Sequence, residues 1–182
     1  MRVLIDACVL YPTLLRQITL NLADAGLFTP LWSAQILEEW RRAALRTHPE
    51  QAEMIAAEIA LTRTEWPNAE IDFPETAEES LSLPDENDRH VLAAAISGKS
   101  DVILTLNVRD FPASTLARHG MRAEHPDPFI LACFHENEPR VTKAVAPALN
   151  QARRAISPSP APRDLLKRSR LPRFAKALAK VG

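Results

Sequence analysis

The sequence predicts an α/β fold: a parallel sheet with helices on both faces, followed by a basic, mostly helical C-terminal extension. Three observations lead there. Arg2-Val3-Leu4-Ile5 and Asp101-Val102-Ile103-Leu104-Thr105-Leu106 are short apolar runs that read as buried strands. Helical patterns alternate with them, and strand–helix–strand order favours parallel pairing. Charge then divides the chain. Residues 1–138 carry 11 Lys+Arg and 22 Asp+Glu, whereas residues 139–182 carry 11 Lys+Arg and one acid, Asp164.

The elements follow in order. The first strand stops at Asp6. Thr13 to Ala25 repeats apolar residues at helical spacing and meets a stop at Gly26. Ser33 is placed to cap a helix over Ala34 to Leu45. Pro49-Glu50 opens the next helix, through about Arg63, with Met54, Ala57 and Leu61 on one face. Asn68 to Pro74 reads as irregular, with a short strand around Ile71 and Phe73. Pro84-Asp85 begins a helix through Ile96 that ends at Gly98. After the strand Asp101–Leu106, Phe111-Pro112 breaks the chain. Gly120 to Ala123 suggests a third strand, and Pro128 starts a helix through Cys133. Pro139 to Ala155 reads as helical apart from Pro147. The run 157–162 is a Pro-rich linker. Leu165-Leu166 and Phe174 to Leu178 suggest two short terminal helices. This divides the chain into a domain over 1–125 and an extension over 126–182.

Composition narrows the function. The chain has 182 residues, 46% of them apolar, and a net charge of −1, as expected for a folded soluble protein. No apolar run approaches a membrane span, and the segment Met1–Asp6 does not read as a signal peptide. Cys8 and Cys133 form no CxxC pair, so neither a disulfide scaffold nor a structural zinc site is expected, and the cytoplasm is the default location. No GxGxxG or GxxxxGK[ST] occurs, which disfavours nucleotide-cofactor enzymes and P-loop NTPases.

The candidate chemistry lies in acids. Asp6 and Asp110 follow the two clearest strands, and open α/β sheets build sites outside the carboxyl ends of their strands. Asp85 and Asp88 open a helix, where Asp85 suits a capping role and Asp88 a ligand role. Adjacent helix positions point about 100° apart, so only one of Glu38 and Glu39 can face the site. Glu38 has Arg42 at i+4 as a solvent partner, which leaves Glu39. Carboxylates brought together repel unless a cation neutralises them, and Mg²⁺ or Mn²⁺ is the natural oxygen-ligated partner. Such an ion activates water and stabilises charge on a phosphodiester.

Four segments taken together resemble the PIN-domain nucleases: Val3–Leu10, Ser33 through Glu39-Trp40, Asp85 through Ala95, and Leu104 through Phe111. The resemblance spans residues 1 to about 125 and implies a Rossmann-like sheet, four convergent acids and RNA phosphodiester hydrolysis with Mg²⁺ or Mn²⁺. Residue by residue it points to Asp6, Glu39, Asp88 and Asp110, with Thr105 and Asn107 supporting the last. Many bacterial members are VapC-type toxins, usually homodimers held inactive by a cognate antitoxin. The segment from Pro126 is similar to the helical extension of a subset of them. The sequence departs from the pattern at Cys8, where a small polar residue is frequent, and at Asn107, where some members have another acid.

The resemblance thus implies a metal-dependent endoribonuclease, the toxin of a toxin–antitoxin pair. The alternatives are an RNA-processing nuclease without an antitoxin, and an inactive RNA- or protein-binding module. Retention of all four acids argues against the last. An acidic pocket repels RNA, so cations must surround it. The basic extension offers Arg153, Arg154, Lys167, Arg168, Arg170 and Arg173 as phosphate contacts; the rival role is neutralising the acidic body or docking the antitoxin. The five histidines show no metal-binding spacing, and His90 is the one on the same helix turn as the acids. Cys8 lacks a base and is not a nucleophile candidate. Trp32, Trp40 and Trp66 read as core or dimer-interface residues rather than stacking platforms.

Overall fold

In the computed structural model, which describes residues 1–74 and 76–181, β1 (Arg2–Ile5) and β3 (Val102–Leu104) form the centre of a four-stranded sheet. The order is β2-β1-β3-β4, with β2 at Thr29–Leu31 and β4 at Arg122–Glu124, and every pairing is parallel. Val3, Leu4, Ile5, Val102, Ile103 and Leu104 are fully buried, as central parallel strands covered on both faces must be. β2 escaped the sequence reading because it is three residues long and contains Pro30. Proline is tolerated there because β2 lies at the margin of the sheet.

The helices are α1 (Ala7–Leu10), α2 (Thr13–Asp24), α3 (Ala34–Thr47), α4 (Ala52–Glu65), α5 (Thr76–Glu79), α6 (Arg89–Ser97), α7 (Ala113–Ala117), α8 (Pro126–Glu136), α9 (Glu138–Arg154), α10 (Pro162–Arg168) and α11 (Pro172–Leu178). Ser33 caps α3, its Oγ accepting from the Ile36 N–H at 3.2 Å. α2 ends at Gly26, whose φ of +72° admits glycine at low cost; a Cβ there would also meet the Arg140 guanidinium.

Several expectations are corrected. α1 was not foreseen. The α4 face named from sequence is the wrong one: Ile55, Ile59 and Thr62 are buried, while Met54 and Leu61 are 53% and 57% exposed. Helical spacing holds for both sets, so periodicity alone could not choose between them. No strand forms at Ile71–Phe73; a single parallel bridge joins Trp32 to Glu70. The helix at Pro84 begins as a 3₁₀ turn, Glu86–Asp88, before α6. α8 starts at Pro126 rather than Pro128 and runs on to Glu136. α9 continues through Pro147, which is exposed, so water can serve the carbonyl that loses its partner.

The C-terminal helices share the core of the sheet-bearing region. α9 lies on α2 through Val141, Val145 and Leu149, and α11 packs on α8, where Phe174 meets Phe134 edge to face at 5.7 Å. One polar device fixes α11. The buried Asp127 carboxylate accepts from the backbone N–H groups of Arg173, at 3.1 Å, and Phe174, at 3.0 Å. A carboxylate from another element thus satisfies the first N–H groups of α11. Replacing Asp127 by Ala leaves these donors unpaired, and we expect a loss of about 2 kcal/mol in urea unfolding. Arg173→Ala keeps the backbone donor and should leave the midpoint nearly unchanged; equal losses in both variants would refute the capping account.

Candidate active site

The chain leaves β1 for β2 on one side and returns to form β3 on the other. A crevice opens where strand order reverses, at the carboxyl ends of β1 and β3. Asp6 is the first residue beyond β1, and its N–H donates to Leu104 O at 3.1 Å. Its side chain makes no capping bond to α1. Instead Oδ2 accepts from Thr105 Oγ1 at 2.6 Å and from Cys8 Sγ at 3.0 Å. Among the described residues Asp6 Oδ1 has no protein donor. Thr105 Oγ1 in turn accepts from the Asn107 N–H at 3.0 Å, and Cys8 Sγ accepts from the Leu106 N–H at 3.1 Å. Burial first, then the charge of Asp6, pushes the Cys8 thiol well above its ordinary range. It stays protonated and donates, so Cys8 supplies the polar contact that a small hydroxyl would give.

The two glutamates of α3 separate as helical geometry requires. Glu38 takes Arg41 at 2.6 Å and Arg42 at 2.8 Å, and these bonds, Arg41's above all, pull its carboxyl down to about 2. Glu39 turns inward, its Oε1 lying 3.0 Å from His90 Nε2. His90 is 1% exposed, not a surface histidine, and among the described residues its Nδ1 has no partner. Asp85 is a cap: its Oδ1 accepts from the Asn87 N–H at 2.9 Å. Asp88 ends the same 3₁₀ turn and points at the crevice. Burial, followed by the charges of Asp6, Asp110, Asp85 and Glu39, raises its carboxyl from the ordinary 3.8 to about 6. Four other acids therefore press on this one group.

A cavity of about 520 Å³ joins these residues. Asp6, Glu39, Asp88 and Asn107 line it, together with Tyr11, Arg42, Arg46 and Thr47. Asp110, on the 3₁₀ turn Val108–Asp110 after β3, does not line it but lies near enough for its charge to act on Asp88. The acids face one another without closing. Among the described residues no three His, Cys, Asp or Glu side chains converge tightly enough to hold a metal ion as they stand. The donor set itself suits a hard cation: all oxygen, mutually repelling, with Asp6 Oδ1 unclaimed.

None of the six cations named in the extension lines this cavity. Arg153 donates to Pro160 O at 3.2 Å, while Arg154, Lys167, Arg168, Arg170 and Arg173 are exposed. Arg170 lies close to His125, whose imidazole is pushed down by burial and by that cation, against the pull of Asp127. The preceding residue, Glu124, accepts from the Thr105 N–H at 3.1 Å, so His125 follows the end of β4 beside the end of β3. Sequence reasoning missed Tyr11, Arg46 and the His90–Glu39 pair. The signal for Arg46 was present: Glu39, Arg42, Ala43 and Arg46 follow i, i+3, i+4, i+7 and share one face of α3.

An α/β fold with acids gathered at its topological switch point defines the class. The chain belongs to the PIN domain family, whose profile matches residues 2–109. It is 39% identical over 90 residues to the protein named "Putative ribonuclease VapC50" of Mycobacterium tuberculosis, covering 48% of this chain and 52% of that one. The chain therefore spans about half the length of the curated relative it matches. No solved structure matches it.

The crowding of Asp88 has a measurable cost. Its carboxyl binds a proton more tightly folded than unfolded. That contribution is fully present below about pH 4 and is lost as pH rises through about 6. Discounted for partial solvent screening, Asp88→Asn should stabilise the fold at pH 7 by about 1 kcal/mol. The gain should vanish below pH 4; a gain independent of pH would remove the electrostatic explanation.

Proposed function

We propose that the chain is a metal-dependent endoribonuclease that hydrolyses RNA phosphodiester bonds, with Asp6, Glu39, Asp88 and Asp110 as its catalytic acids. The observation that carries this reading is the gathering of Asp6, Glu39 and Asp88 around one cavity at the β1–β3 crevice, where their charges and that of Asp110 raise the Asp88 carboxyl. Such repulsion is costly and finds its use when a divalent cation is held there. Asp6 and Asp88 would hold Mg²⁺ or Mn²⁺, with Glu39 and Asp110 completing the set. When bound, the ion supplies Lewis acidity at the phosphodiester and a water of lowered pKa.

The protein's own contributions follow from the contacts. Thr105 and Cys8 fix Oδ2 of Asp6, which leaves Oδ1 directed by a carboxylate that cannot rotate freely. Thr105 is itself held by the Asn107 N–H, so the two supporting residues act as one unit. Glu39, restrained by His90, is positioned to accept a proton from an attacking water. Asn107 presents an amide to the cavity that can orient a substrate oxygen.

The resemblance to VapC-type toxins extends the proposal to biology. The chain acts as the toxin of a toxin–antitoxin pair, as a homodimer in the cytoplasm, with a cognate antitoxin as its inhibitor. Among the described residues no helix is long and apolar enough to cross a membrane. The exposed cations of the extension remain candidates for phosphate contact, Arg170 foremost because it lies close to His125, the residue after β4.

Purified protein should cleave RNA with Mg²⁺ or Mn²⁺ and stop in EDTA. Asp6→Asn and Asp88→Asn should each lower the rate by at least 100-fold with the circular dichroism spectrum unchanged. Full cleavage in EDTA, or by either variant, would disprove the mechanism; metal binding without cleavage would favour the inactive-module alternative.

A further inference from the structure

The lining of the cavity also holds Tyr11 and Arg46, which this mechanism does not use. Arg46 is exposed and, among the described residues, makes no ion pair or side-chain hydrogen bond, although the body carries twice as many acids as bases. Its neighbours differ. Arg41 and Arg42 both spend their charge on Glu38. Arg46 sits seven residues beyond Glu39, about 10 Å further along α3. Helical side chains lean toward the N-terminus, and Arg46 lines the same cavity as Glu39 on the same face of α3. Beside it, the Tyr11 hydroxyl donates to Thr47 Oγ1 at 2.9 Å. That bond ties the ring, which follows α1, to the last turn of α3. Tyr11 is packed against the core on one side and lines the cavity on the other.

An unpaired guanidinium and an anchored phenol ring in one cavity match two parts of a nucleotide. A guanidinium forks onto phosphate oxygens, and an aromatic face stacks an unpaired base. We infer that Arg46 and Tyr11 form a nucleotide subsite, Arg46 binding the phosphate next to the scissile one and Tyr11 stacking the intervening base. The inference rests on the nuclease reading for the place of the scissile phosphate, and on the geometry of α1 and α3 for the subsite itself. It also answers the electrostatic difficulty of the site. The acids repel an incoming strand, and a cation lining the same cavity draws the strand's neighbouring phosphate into it.

The experiment is binding of a fluorescent single-stranded oligoribonucleotide, without divalent metal, to full-length protein and variants across a salt series. Each lost phosphate contact lowers the log–log slope by about 0.7 for single strands. Arg46→Ala should weaken binding and flatten the slope by about that amount. Arg41→Ala, which removes an equal charge from a face of α3 outside the cavity, should leave the slope unchanged. Tyr11→Leu should weaken binding about tenfold with the slope preserved, because stacking carries no counterion term. Tyr11→Phe should recover the stacking and lose only the tie to Thr47. In metal-supported cleavage Arg46→Ala should raise KM more than it lowers kcat.

An unchanged slope for Arg46→Ala, an equal change for Arg41→Ala, or no RNA binding by the wild type would overturn the subsite. The nuclease reading fails separately. Wild-type protein that binds RNA with the Arg46-dependent slope but does not cleave retains the subsite and loses the proposed chemistry.

Discussion

The site depends on the parallel register of β1 against β3. Val3, Leu4 and Ile5 stand opposite Val102, Ile103 and Leu104, so the two strands end level with one another. Their ends are then tied twice. The Asp6 N–H bonds Leu104 O through the backbone, and the Asp6 carboxylate accepts from Thr105 Oγ1. A slip of one residue would carry Asp6 away from Thr105 and reverse the facing of a fully buried strand. Burial of six apolar side chains sets the register, and the register delivers the polar residues beyond it. Stability and chemistry are linked by position along the same two strands.

That link explains which parts were legible. β1 and β3 could be read because buried parallel strands are short continuous apolar runs, and Asp6 could be read as the acid that ends one. The choice of Glu39 over Glu38 followed from helix geometry, and the structure turns Glu39 toward His90 and Glu38 toward two arginines. β2 was not legible: Thr29-Pro30-Leu31 is too short for periodicity, and the proline argued against it. The α4 face was misread because Met54 and Leu61, at i and i+7, satisfy helical periodicity as well as Ile55 and Ile59, at i and i+4. Only the packing of α4 against α3 decides which pair is buried. Contacts between distant segments were also beyond reach. His90 lies 51 residues from Glu39, and nothing local announces their pairing.

Cys8 shows how a residue can depart from a family pattern without losing a contact. A thiol is a weak donor, and in a low-polarity pocket next to a carboxylate it has no route to ionise. Under those conditions it keeps its proton and donates it to Asp6 Oδ2 at 3.0 Å. The Leu106 N–H completes its environment from the other side. A serine there would donate more strongly but would also seek water at the crevice. The thiol occupies Oδ2 of Asp6 together with Thr105, and Oδ1 is left without a protein donor among the described residues.

The charge division along the chain has a structural counterpart. The extension carries 11 Lys+Arg, yet its helices enter the common core through Val141, Val145, Leu149, Leu165, Leu166 and Phe174. Removing residues 139–182 would therefore expose the faces of α2 and α8 that these side chains cover, and a truncated chain could not report on charge alone. Most of the basic side chains themselves lie outside that packing. α11 is held by its backbone N–H groups on Asp127, not by the Arg173 side chain, so the guanidinium is left exposed. The extension thus anchors by apolar faces and one buried carboxylate while keeping its cations available. Their field reaches about 10 Å at ordinary ionic strength, so any of them within that reach offsets the repulsion of the acids for a polyanion.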